Sequence, residues 1–420
     1  MKFETLQTRA AYTPEPSTKS FAPPLYMTTG YLYDSAQDAQ EIFELKKPGN
    51  IYSRLGNPTT AILEERLNVL EGGVGALAFS SGHAALVGAI FTIMQAGQHI
   101  VAGKTLYGGT VNMLTHTMPR MGITTTFVDT DNPENFRSAF KPETRLVYIE
   151  VIGNPQINLC DIKAITAIAH EAGLPVLVDA TLATPYLFRP FEHGADLVLH
   201  STTKYICGHG TTVGGILIDG GTFSWASGKY PSLGEGDPSY HGIVYTEQFG
   251  KAAFISRARA GTMRDLGGCP SPFNSFMLLQ GIDTLSLRME RHSANALKLA
   301  LHLAGHKTVA RVNHPALPGS AYKNLADRDW PHGCGGLFSI ELKGGRQAGA
   351  RLIDSFKLFG NVTHFADARS MVCHPATTTH SQMTEEKMAE SGIGAGLVRI
   401  SVGLEHIDDL IADFEQALAK

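Results

Sequence analysis

A lysine with hydroxyl side chains close by follows one of the apolar runs of the sequence. Residues 200–205 read HSTTKY, directly after the run ADLVL. The amine of Lys204 can form a Schiff base, and the hydroxyls of Ser201 and Thr203 can hydrogen-bond a phosphate, which is the combination that pyridoxal phosphate (PLP) requires. Taken alone, the segment is more simply explained by a solvated lysine after a strand.

A carboxylate ends another apolar run, VLVDAT, residues 176–181. Asp179 is costly to bury there unless it is paired. A protonated pyridine nitrogen is a suitable partner, because the pair keeps such a ring an electron sink. A helix N-cap or a salt bridge is the ordinary alternative. The separation of 25 positions between Asp179 and Lys204 leaves room for one helix-sized segment and a strand, and the two sites together are more specific than either alone.

Two further segments place small or aromatic residues after predicted strands. SSGHAA, residues 80–85, joins the run GALAF to a helix, so Ser81, Gly82 and His83 stand where backbone N–H groups can approach an anion. Tyr107, in LYGGT, follows HIVAGK and can stack on a flat ring while offering its hydroxyl to chemistry. An ordinary strand–helix turn and a core tyrosine are the alternatives.

These segments belong to a regular alternation that begins near residue 61. Short β-rich runs separated by helical stretches predict βαβ units and a mostly parallel sheet flanked by helices. In such a sheet ligands bind at the carboxyl ends of the strands, where the residues above lie. The predicted strands are GALAFS, HIVAGK, ITTTFVD, TRLVYIEV, LPVLVDAT, ADLVLHS and GGILID.

Three parts of the chain are predicted. Residues 1–60 carry six prolines without sustained periodicity, which indicates an extended arm that needs another surface. Residues 61–270 form the large domain, and residues 271–420 a smaller α+β domain that starts with one long amphipathic helix. The Gly-, Ser- and aromatic-rich stretch from 220 to about 268 is predicted to be an ordered, packed loop, because it carries Phe223, Trp225, Tyr230 and Tyr240.

Composition narrows the possible functions. The chain has 420 residues, 18% of them charged, and a formal charge of -4, which favours a chain that associates with copies of itself and argues against a nucleic-acid surface. Five scattered cysteines without a CxxC pair suit a reducing cytoplasm, and no apolar run is long enough to span a membrane. The 17 histidines show no metal-ligand spacing, and His209 and His380 are interpreted as structural. The fingerprints of dinucleotide folds, phosphate-binding loops, serine hydrolases and zinc proteases are missing.

These segments, in this order, resemble the PLP-dependent enzymes of Cys/Met metabolism, the cystathionine γ-synthase-like group of fold type I. The resemblance covers nearly the whole chain and includes YSRLGNPTT (52–60), GNP (153–155), HPATTTH (374–380) and GLVRISVGLE (396–405). Three stretches favour the branch that acts on O-acetylhomoserine: YLFRPFEHGAD (186–196), the insertion 220–242 and LLQGIDTLSLRMERH (278–292). The resemblance implies a PLP enzyme that replaces acetate at Cγ with sulfide or a thiol. The alternatives within the fold are a cystathionine γ-synthase and a methionine or cystathionine γ-lyase.

The resemblance also implies a role for each matched residue. Lys204 matches the Schiff-base lysine, Asp179 the partner of the pyridine nitrogen and Tyr107 the ring-stacking tyrosine, and these three are the predicted catalytic residues. The phosphate is contacted at Gly82, His83, Ser201 and Thr203, with Ser81 beside them. Tyr52 and Arg54 match phosphate-binding residues that come from the neighbouring subunit, and Asn154 matches a residue near the cofactor hydroxyl. The residues that match substrate-binding positions are Arg399, Asn154 and Tyr52.

The predicted assembly is a homotetramer built from dimers with shared active sites. The sequence also departs from the pattern of the group. Ala180 and His83 differ from the usual residues, and GNVTHFADARSM (360–371) lacks the Ser-Leu-Gly that many lyases place near the substrate carboxylate. Rivals from other classes are a nicotinamide-dependent dehydrogenase, which would need the missing glycine fingerprint, and a non-catalytic α/β scaffold, which would not need Lys204.

Overall fold

The apolar runs that the sequence predicts as strands form one seven-stranded sheet in the computed structural model, which describes residues 1–378 and 393–420. Its strand order is β1-β7-β6-β5-β4-β2-β3. The strand β7 runs antiparallel to both of its neighbours, and all other pairs are parallel. The strands are β1 (Gly75–Phe79), β2 (His99–Gly103), β3 (Thr124–Val128), β4 (Thr144–Glu150), β5 (Val176–Asp179), β6 (Leu197–His200) and β7 (Gly215–Asp219).

Both faces of this sheet are buried, which explains why its strands are continuous apolar runs. In β5, Val176 and Val178 belong to one hydrophobic cluster, and Leu177, which points to the opposite face, belongs to a second cluster. All three side chains are fully buried. The predicted mostly parallel sheet flanked by helices is therefore confirmed.

Helices cover the two faces and begin where the sequence places capping residues. The third helix begins after Asn57, whose side chain accepts from the backbone N–H of Thr59, and ends at Gly72, whose φ of 86° is in the left-handed region that glycine favours. The helices up to residue 187 are α1 (Phe3–Arg9), α2 (Ala36–Phe43), α3 (Pro58–Glu71), α4 (Gly82–Ile93), α5 (Gly108–Asn112), α6 (Glu134–Ala139), α7 (Ile162–Glu171) and α8 (Thr184–Leu187).

The stretch after β7 is ordered and packed, as its aromatic content predicts. Trp225 and Tyr230 are buried, and Trp225 stacks on Phe254 with ring centroids 5.3 Å apart. Short helices follow one another here: α9 (Pro231–Gly234), α10 (Tyr245–Gln248), α11 (Ala253–Arg257) and α12 (Arg264–Leu266). Single turns of 3-10 or π geometry occur at 113–117, 118–121, 190–193, 238–240, 250–252, 258–263 and 375–377.

The C-terminal part has a five-stranded sheet of its own, with order β10-β11-β12-β9-β8. Its pairs are antiparallel except for β10 with β11. The strands are β8 (Val309–Asn313), β9 (Leu337–Leu342), β10 (Gly360–Asn361), β11 (Met371–Cys373) and β12 (Leu397–Ser401). The helices are α13 (Pro272–Ile282), α14 (Leu285–Ala304), α15 (Lys323–Asp329), α16 (Gly345–Ser355) and α17 (Ile407–Leu418).

Two features differ from the sequence prediction. The long helix predicted after residue 271 is interrupted between α13 and α14, where Gln7 donates to the Asp283 carbonyl and accepts from the backbone N–H of Ser286. The arm supplies hydrogen bonds to backbone groups at the break, which a local pattern cannot reveal. The arm itself is not extended throughout, because it contains α1 and α2. The boundaries at residues 60 and 270 stay predictions. No helix in the described part of the chain is long and apolar enough to cross a membrane.

Candidate active site

The carboxyl ends of the parallel strands, together with the start of β7, border one cavity. Nine of the twelve predicted site residues line it: Ser81, Gly82, His83, Tyr107, Asn154, Asp179, Ser201, Thr203 and Lys204. Each of them ends a strand or lies within four residues of a strand end, so the register of the sheet brings together segments that are more than a hundred residues apart in sequence.

Lys204 lies in the turn that follows β6, and it is largely buried. Its Nζ is 3.0 Å from Nδ1 of His364 and 4.0 Å from the ring centroid of Phe365. Burial, and then the nearby Arg399 guanidinium, lower the pKa of the Lys204 amine to about 8. Since an ordinary lysine titrates more than two pH units higher, this side chain has a much larger neutral, nucleophilic fraction at neutral pH.

Asp179 ends β5 beside a second buried carboxyl group, Glu150, at the same register of β4. Its Oδ1 accepts from the backbone N–H of Thr181 at 2.9 Å, and its Oδ2 from the hydroxyl of Tyr148 at 3.3 Å. Burial raises the pKa of Asp179 and, more strongly, that of Glu150, which also faces the Asp179 charge. Among the described residues neither carboxylate has an ion-pair partner, so Asp179 is suited to a cation delivered by a bound molecule.

The N-terminus of α4 lies at one end of the cavity, where the sequence predicts an anion. Ser81 caps this helix by accepting from the backbone N–H of Ala84 at 3.1 Å. A side chain at Gly82 would place its Cβ 2.7 Å from the Cβ of Ser201, so only glycine allows the helix to approach the turn after β6 this closely. The opposite side of the same end is fixed by Thr203, whose hydroxyl donates to the Gly214 carbonyl and accepts from its N–H. Backbone N–H groups and hydroxyls together suit a phosphate.

Tyr107 begins α5 at the mouth of the cavity. Its backbone N–H donates to Oε1 of Glu150 at 2.7 Å, and its ring is 5.7 Å from that of His83. Tyr107 is 44% exposed and lines the cavity, so its ring is accessible to a planar ligand.

Arg399, on β12 of the second sheet, lies directly behind the cavity lining, with its guanidinium 4.8 Å from the ring centroid of Phe365. The guanidinium is buried, and burial lowers its pKa. It donates to the Thr363 carbonyl at 2.7 Å and lies 3.5 Å from Oδ1 of Asn154. No carboxylate in the described part of the chain forms an ion pair with it, which fits an arginine reserved for the carboxylate of a ligand.

Tyr52 and Arg54 are not among the residues that line this cavity. The Arg54 guanidinium lies over the Tyr52 ring at 5.6 Å and donates to the carbonyl of Arg264, and Tyr52 is 45% exposed. The structure therefore brings the other ten predicted residues to one place but leaves these two outside it.

Several residues at or beside the site were not predicted, and four of them bear on its chemistry. Glu150 and Thr181 lie at or just after the ends of β4 and β5, so the rule that identified Asp179 could have found them. His364 and Phe365 lie in the segment between β10 and β11, where the only signal was the departure from the Ser-Leu-Gly pattern. The end of the HPATTTH motif, including His380, lies outside the described residues. Within those residues no group of three or more potential ligands could hold a metal ion.

The known proteins that are similar to this chain belong to one family, and they match it over nearly its full length. A family model for Cys/Met metabolism PLP-dependent enzymes matches residues 4–419. The chain is 47% identical to an O-acetyl-L-homoserine sulfhydrylase from Leptospira meyeri, with 99% of this chain and 96% of the relative covered. It is 45% identical to a homocysteine synthase from Schizosaccharomyces pombe, with 99% and 98% covered.

A solved structure matches the fold just as completely. A putative O-acetylhomoserine (thiol)-lyase from Campylobacter jejuni superposes with a TM-score of 0.97 at 36% sequence identity, covering 100% of both chains. That crystal structure carries a pyridoxyl-lysine phosphate, in which the cofactor is attached to a lysine of the protein.

Proposed function

The chain belongs to the Cys/Met metabolism PLP-dependent enzymes, and we propose that it converts O-acetyl-L-homoserine and sulfide into L-homocysteine and acetate. A thiol in place of sulfide gives the corresponding thioether, such as methionine. The observation that carries the proposal is one cavity lined by a lysine with a lowered pKa and a buried carboxylate, with the buried arginine Arg399 beside its lining residues Asn154 and Phe365. None of the three has an ion-pair partner among the described residues.

The residues of the cavity fit the cofactor that the family requires. Asp179 offers a buried carboxylate to the protonated ring nitrogen, and Tyr107 offers a flat face to the ring. The close approach that Gly82 permits leaves the amides of Gly82 and His83 and the hydroxyl of Ser201 to hold the phosphate. Thr203 joins them when its hydroxyl proton turns from the Gly214 carbonyl to a phosphate oxygen. Lys204 is the amine to which the aldehyde attaches.

The residues then have separate tasks in the reaction. When bound, PLP supplies an electron sink for the charge that develops on the substrate carbons. Lys204 removes the Cα proton and then a Cβ proton, and returns protons once hydrosulfide has replaced acetate at Cγ. Its pKa of about 8 leaves the amine able both to accept and to release a proton near neutral pH.

Arg399 and Asn154 orient the substrate. A bidentate pair between the guanidinium and the α-carboxylate fixes the amino acid in two directions, which a lysine could not do. The carbonyl of Thr363 holds one guanidinium nitrogen, so the direction of the fork is fixed before the substrate arrives.

The direct test is an assay of the purified protein with PLP. We expect homocysteine and acetate from O-acetylhomoserine, dependent on sulfide. Release of 2-oxobutyrate from methionine or cystathionine at a higher kcat/KM would instead identify a γ-lyase, and cystathionine formation from cysteine a cystathionine γ-synthase. Parallel measurements with acetyl- and succinyl-homoserine, sulfide, cysteine and methanethiol define the preferred leaving group and acceptor.

We further propose that the protein works in the cytoplasm as a homotetramer built from dimers with shared active sites. Two observations support the assembly. The arm exposes large apolar side chains, among them Phe21 at 78% and Leu32 at 101%, which a single subunit does not cover. Tyr52 and Arg54 lie outside their own chain's cavity, as expected for residues that reach a neighbour. A separate observation supports the cytoplasmic location: all five cysteines are free, which suits a reducing compartment.

A complementation experiment tests the shared site. Lys204→Ala and Arg54→Ala variants, each inactive, are unfolded and refolded together in equal amounts. A mixed dimer has one site that lacks both groups and one intact site, so about a quarter of all sites should recover if pairing is random. If mixed dimers form and no activity returns, Arg54 serves its own chain and the shared site is wrong.

A further inference from the structure

The segment between β10 and β11, where the sequence departs from the pattern of its family, contacts Lys204. Nδ1 of His364 lies 3.0 Å from Nζ of Lys204, and the Phe365 ring centroid lies 4.0 Å from the same nitrogen. Among the residues that the structure describes, His364 supplies the hydrogen-bond partner of Nζ. The roles assigned above to Lys204 and Arg399 do not account for either aromatic side chain.

The second sheet holds this segment in place. The backbone N–H of Ala366 donates to the Ser401 hydroxyl at 2.8 Å, and Arg399 donates to the carbonyls of Thr363 at 2.7 Å and His364 at 3.3 Å. Ala366 has a φ of 65°, in the left-handed region that alanine rarely adopts. Because several bonds from β12 fix this backbone, the imidazole is presented to Lys204 in a defined position.

The imidazole is neutral at physiological pH. Burial, and then the Lys204 ammonium, lower the pKa of His364 to about 4. The ionisable groups that surround the contact are Arg399 and Tyr107, the carboxyl groups Asp179, Glu150 and Asp367, and Arg369. A neutral imidazole whose Nδ1 faces an ammonium accepts its hydrogen bond, which assigns the ring proton to Nε2.

The proposed reaction makes a particular demand on Lys204. Its amine must leave the cofactor when the substrate binds, act on two substrate carbons, and return. A lysine side chain has four flexible methylene groups, so a free ammonium beside the Arg399 cation would not stay near those carbons unaided. A hydrogen-bond acceptor and an aromatic face are both favourable partners for an ammonium.

We propose that His364 and Phe365 form a dock that holds the Lys204 amine beside the substrate whenever it is not bonded to the cofactor. His364 is then a positioning residue, since it acts on the reaction by holding the nitrogen that transfers the protons. This inference rests on the proposed function, because only a reaction that releases Lys204 needs such a dock. The proton stays on Lys204, and His364 donates none to the substrate.

A matched pair of variants tests the dock in the holoenzyme. Leucine and asparagine have the same branched shape, but only asparagine offers an acceptor near the position of Nδ1. We expect His364→Leu to lower kcat about ten-fold, the loss of one hydrogen bond to a charged group, with KM for O-acetylhomoserine within about two-fold. His364→Asn should recover most of the rate. A wild-type kcat in His364→Leu, or equal loss in both variants, would overturn the proposal.

A second measurement does not depend on turnover. In the cofactor-free full-length protein, the rate at which acetic anhydride labels Lys204 is followed by mass spectrometry against pH, relative to the exposed Lys343. The midpoint of this pH dependence is the pH at which half of the Lys204 amines are neutral. Because the dock stabilises the ammonium, His364→Leu should shift this midpoint to lower pH by about one pH unit, and His364→Asn should not shift it. Identical midpoints in wild type and His364→Leu would refute the dock. If the wild-type enzyme lacked sulfhydrylase activity but the midpoint still shifted, the proposed function would fail and the contact would stand.

A spectroscopic measurement covers the case in which His364→Leu does not fold. In ¹⁵N-histidine-labelled, cofactor-free protein, the Nδ1 signal of His364 should differ between wild type and Lys204→Ala. The same signal in both proteins would show that the hydrogen bond does not form in solution and would overturn the dock.

Discussion

The two walls of the cavity are built in different ways. On one wall, Asp179, Ser201 and Lys204 end or follow strands of the seven-stranded sheet, so the register of buried strands sets their spacing. On the other wall, Arg399 comes from the second sheet, and His364 and Phe365 from an irregular segment held by side-chain hydrogen bonds. The first wall carries two buried carboxyl groups and the second a buried guanidinium.

This difference separates two kinds of recognition. The wall formed by the seven-stranded sheet, here called the sheet wall, tolerates few changes of sequence, because each of its functional residues is tied to a core strand. It therefore suits a cofactor, whose structure is fixed. The segment of the second wall can change without disturbing the large sheet, so we expect this wall to distinguish between substrates and between acceptors. We therefore expect substitutions on the sheet wall to abolish chemistry, and those on the second wall to alter rates and specificity by smaller factors.

The largest effect is expected for Lys204→Ala. Without the amine no group remains to move protons at Cα and Cβ, so turnover should fall at least about a thousand-fold. The protein should also lose the yellow colour that borohydride bleaches, and its mass should no longer increase by the reduced cofactor. Lys343→Ala, at an exposed site, is the control. Sulfhydrylation at the wild-type rate in Lys204→Ala would remove the basis of the proposed function.

The next largest effect is expected for Asp179→Asn. The amide keeps the shape and can still accept from the Thr181 backbone, but it offers no negative charge to the ring nitrogen, so kcat should fall about a hundred-fold. Thermal unfolding of the cofactor-free variant, compared with wild type, checks that the fold survives. Unchanged turnover would mean that Asp179 has a structural role only.

On the second wall, Arg399→Lys should have a smaller effect. The lysine keeps the charge and loses the bidentate fork, which is worth about 1.5–3 kcal/mol, so kcat/KM for O-acetylhomoserine should fall roughly ten- to a hundred-fold. PLP affinity should be unchanged, because the proposed cofactor contacts all lie on the opposite wall. Equal losses of cofactor affinity and kcat/KM would contradict the division between the walls.

The smallest effect is expected from removing the charge of Arg399, which acts across the cavity on the Lys204 amine. In the cofactor-free protein, the rate of covalent PLP attachment should rise with pH and level off above about 8, because only the neutral Lys204 amine attacks. Burial is the larger cause of this lowered pKa and Arg399 the smaller. Arg399→Gln should therefore move the midpoint to higher pH, by less than one pH unit. A midpoint that stays in place would show that the second wall does not influence Lys204.

Most of the sheet wall was predictable from the sequence, and most of the second wall was not. Asp179 and Lys204 lie at or just after the ends of short apolar runs, which mark the ligand-binding edge, so local pattern and sheet topology located them and the family resemblance supplied their roles. Arg399 could be assigned only through the family resemblance, since a single arginine within LVRIS has no distinguishing pattern. His364 and Phe365 approach Lys204 from about 160 residues away, through the packing of a second sheet that periodicity does not locate.

Contacts between residues distant in sequence also explain the two ways in which the fold differs from the sequence prediction. The break between α13 and α14 depends on Gln7, which lies more than 270 residues earlier in the sequence. The helix α1 packs Phe3 against Tyr186 with ring centroids 5.1 Å apart, so a segment that looks weakly helical by itself gains a partner in the tertiary structure. In each case a contact distant in sequence determines the local structure.

The reversed strand β7 has a consequence for the synthesis of the protein. β1 lies at the sheet edge and pairs only with β7, which leaves the ribosome about 135 residues later. At roughly 5–20 residues per second, β1 and the turn at Gly82 wait on the order of ten seconds for their partner strand. The other five strands, β2 to β6, can pair with one another before that. The end of the cavity at Gly82 is therefore completed late in synthesis, on a sheet whose other strands can already have assembled.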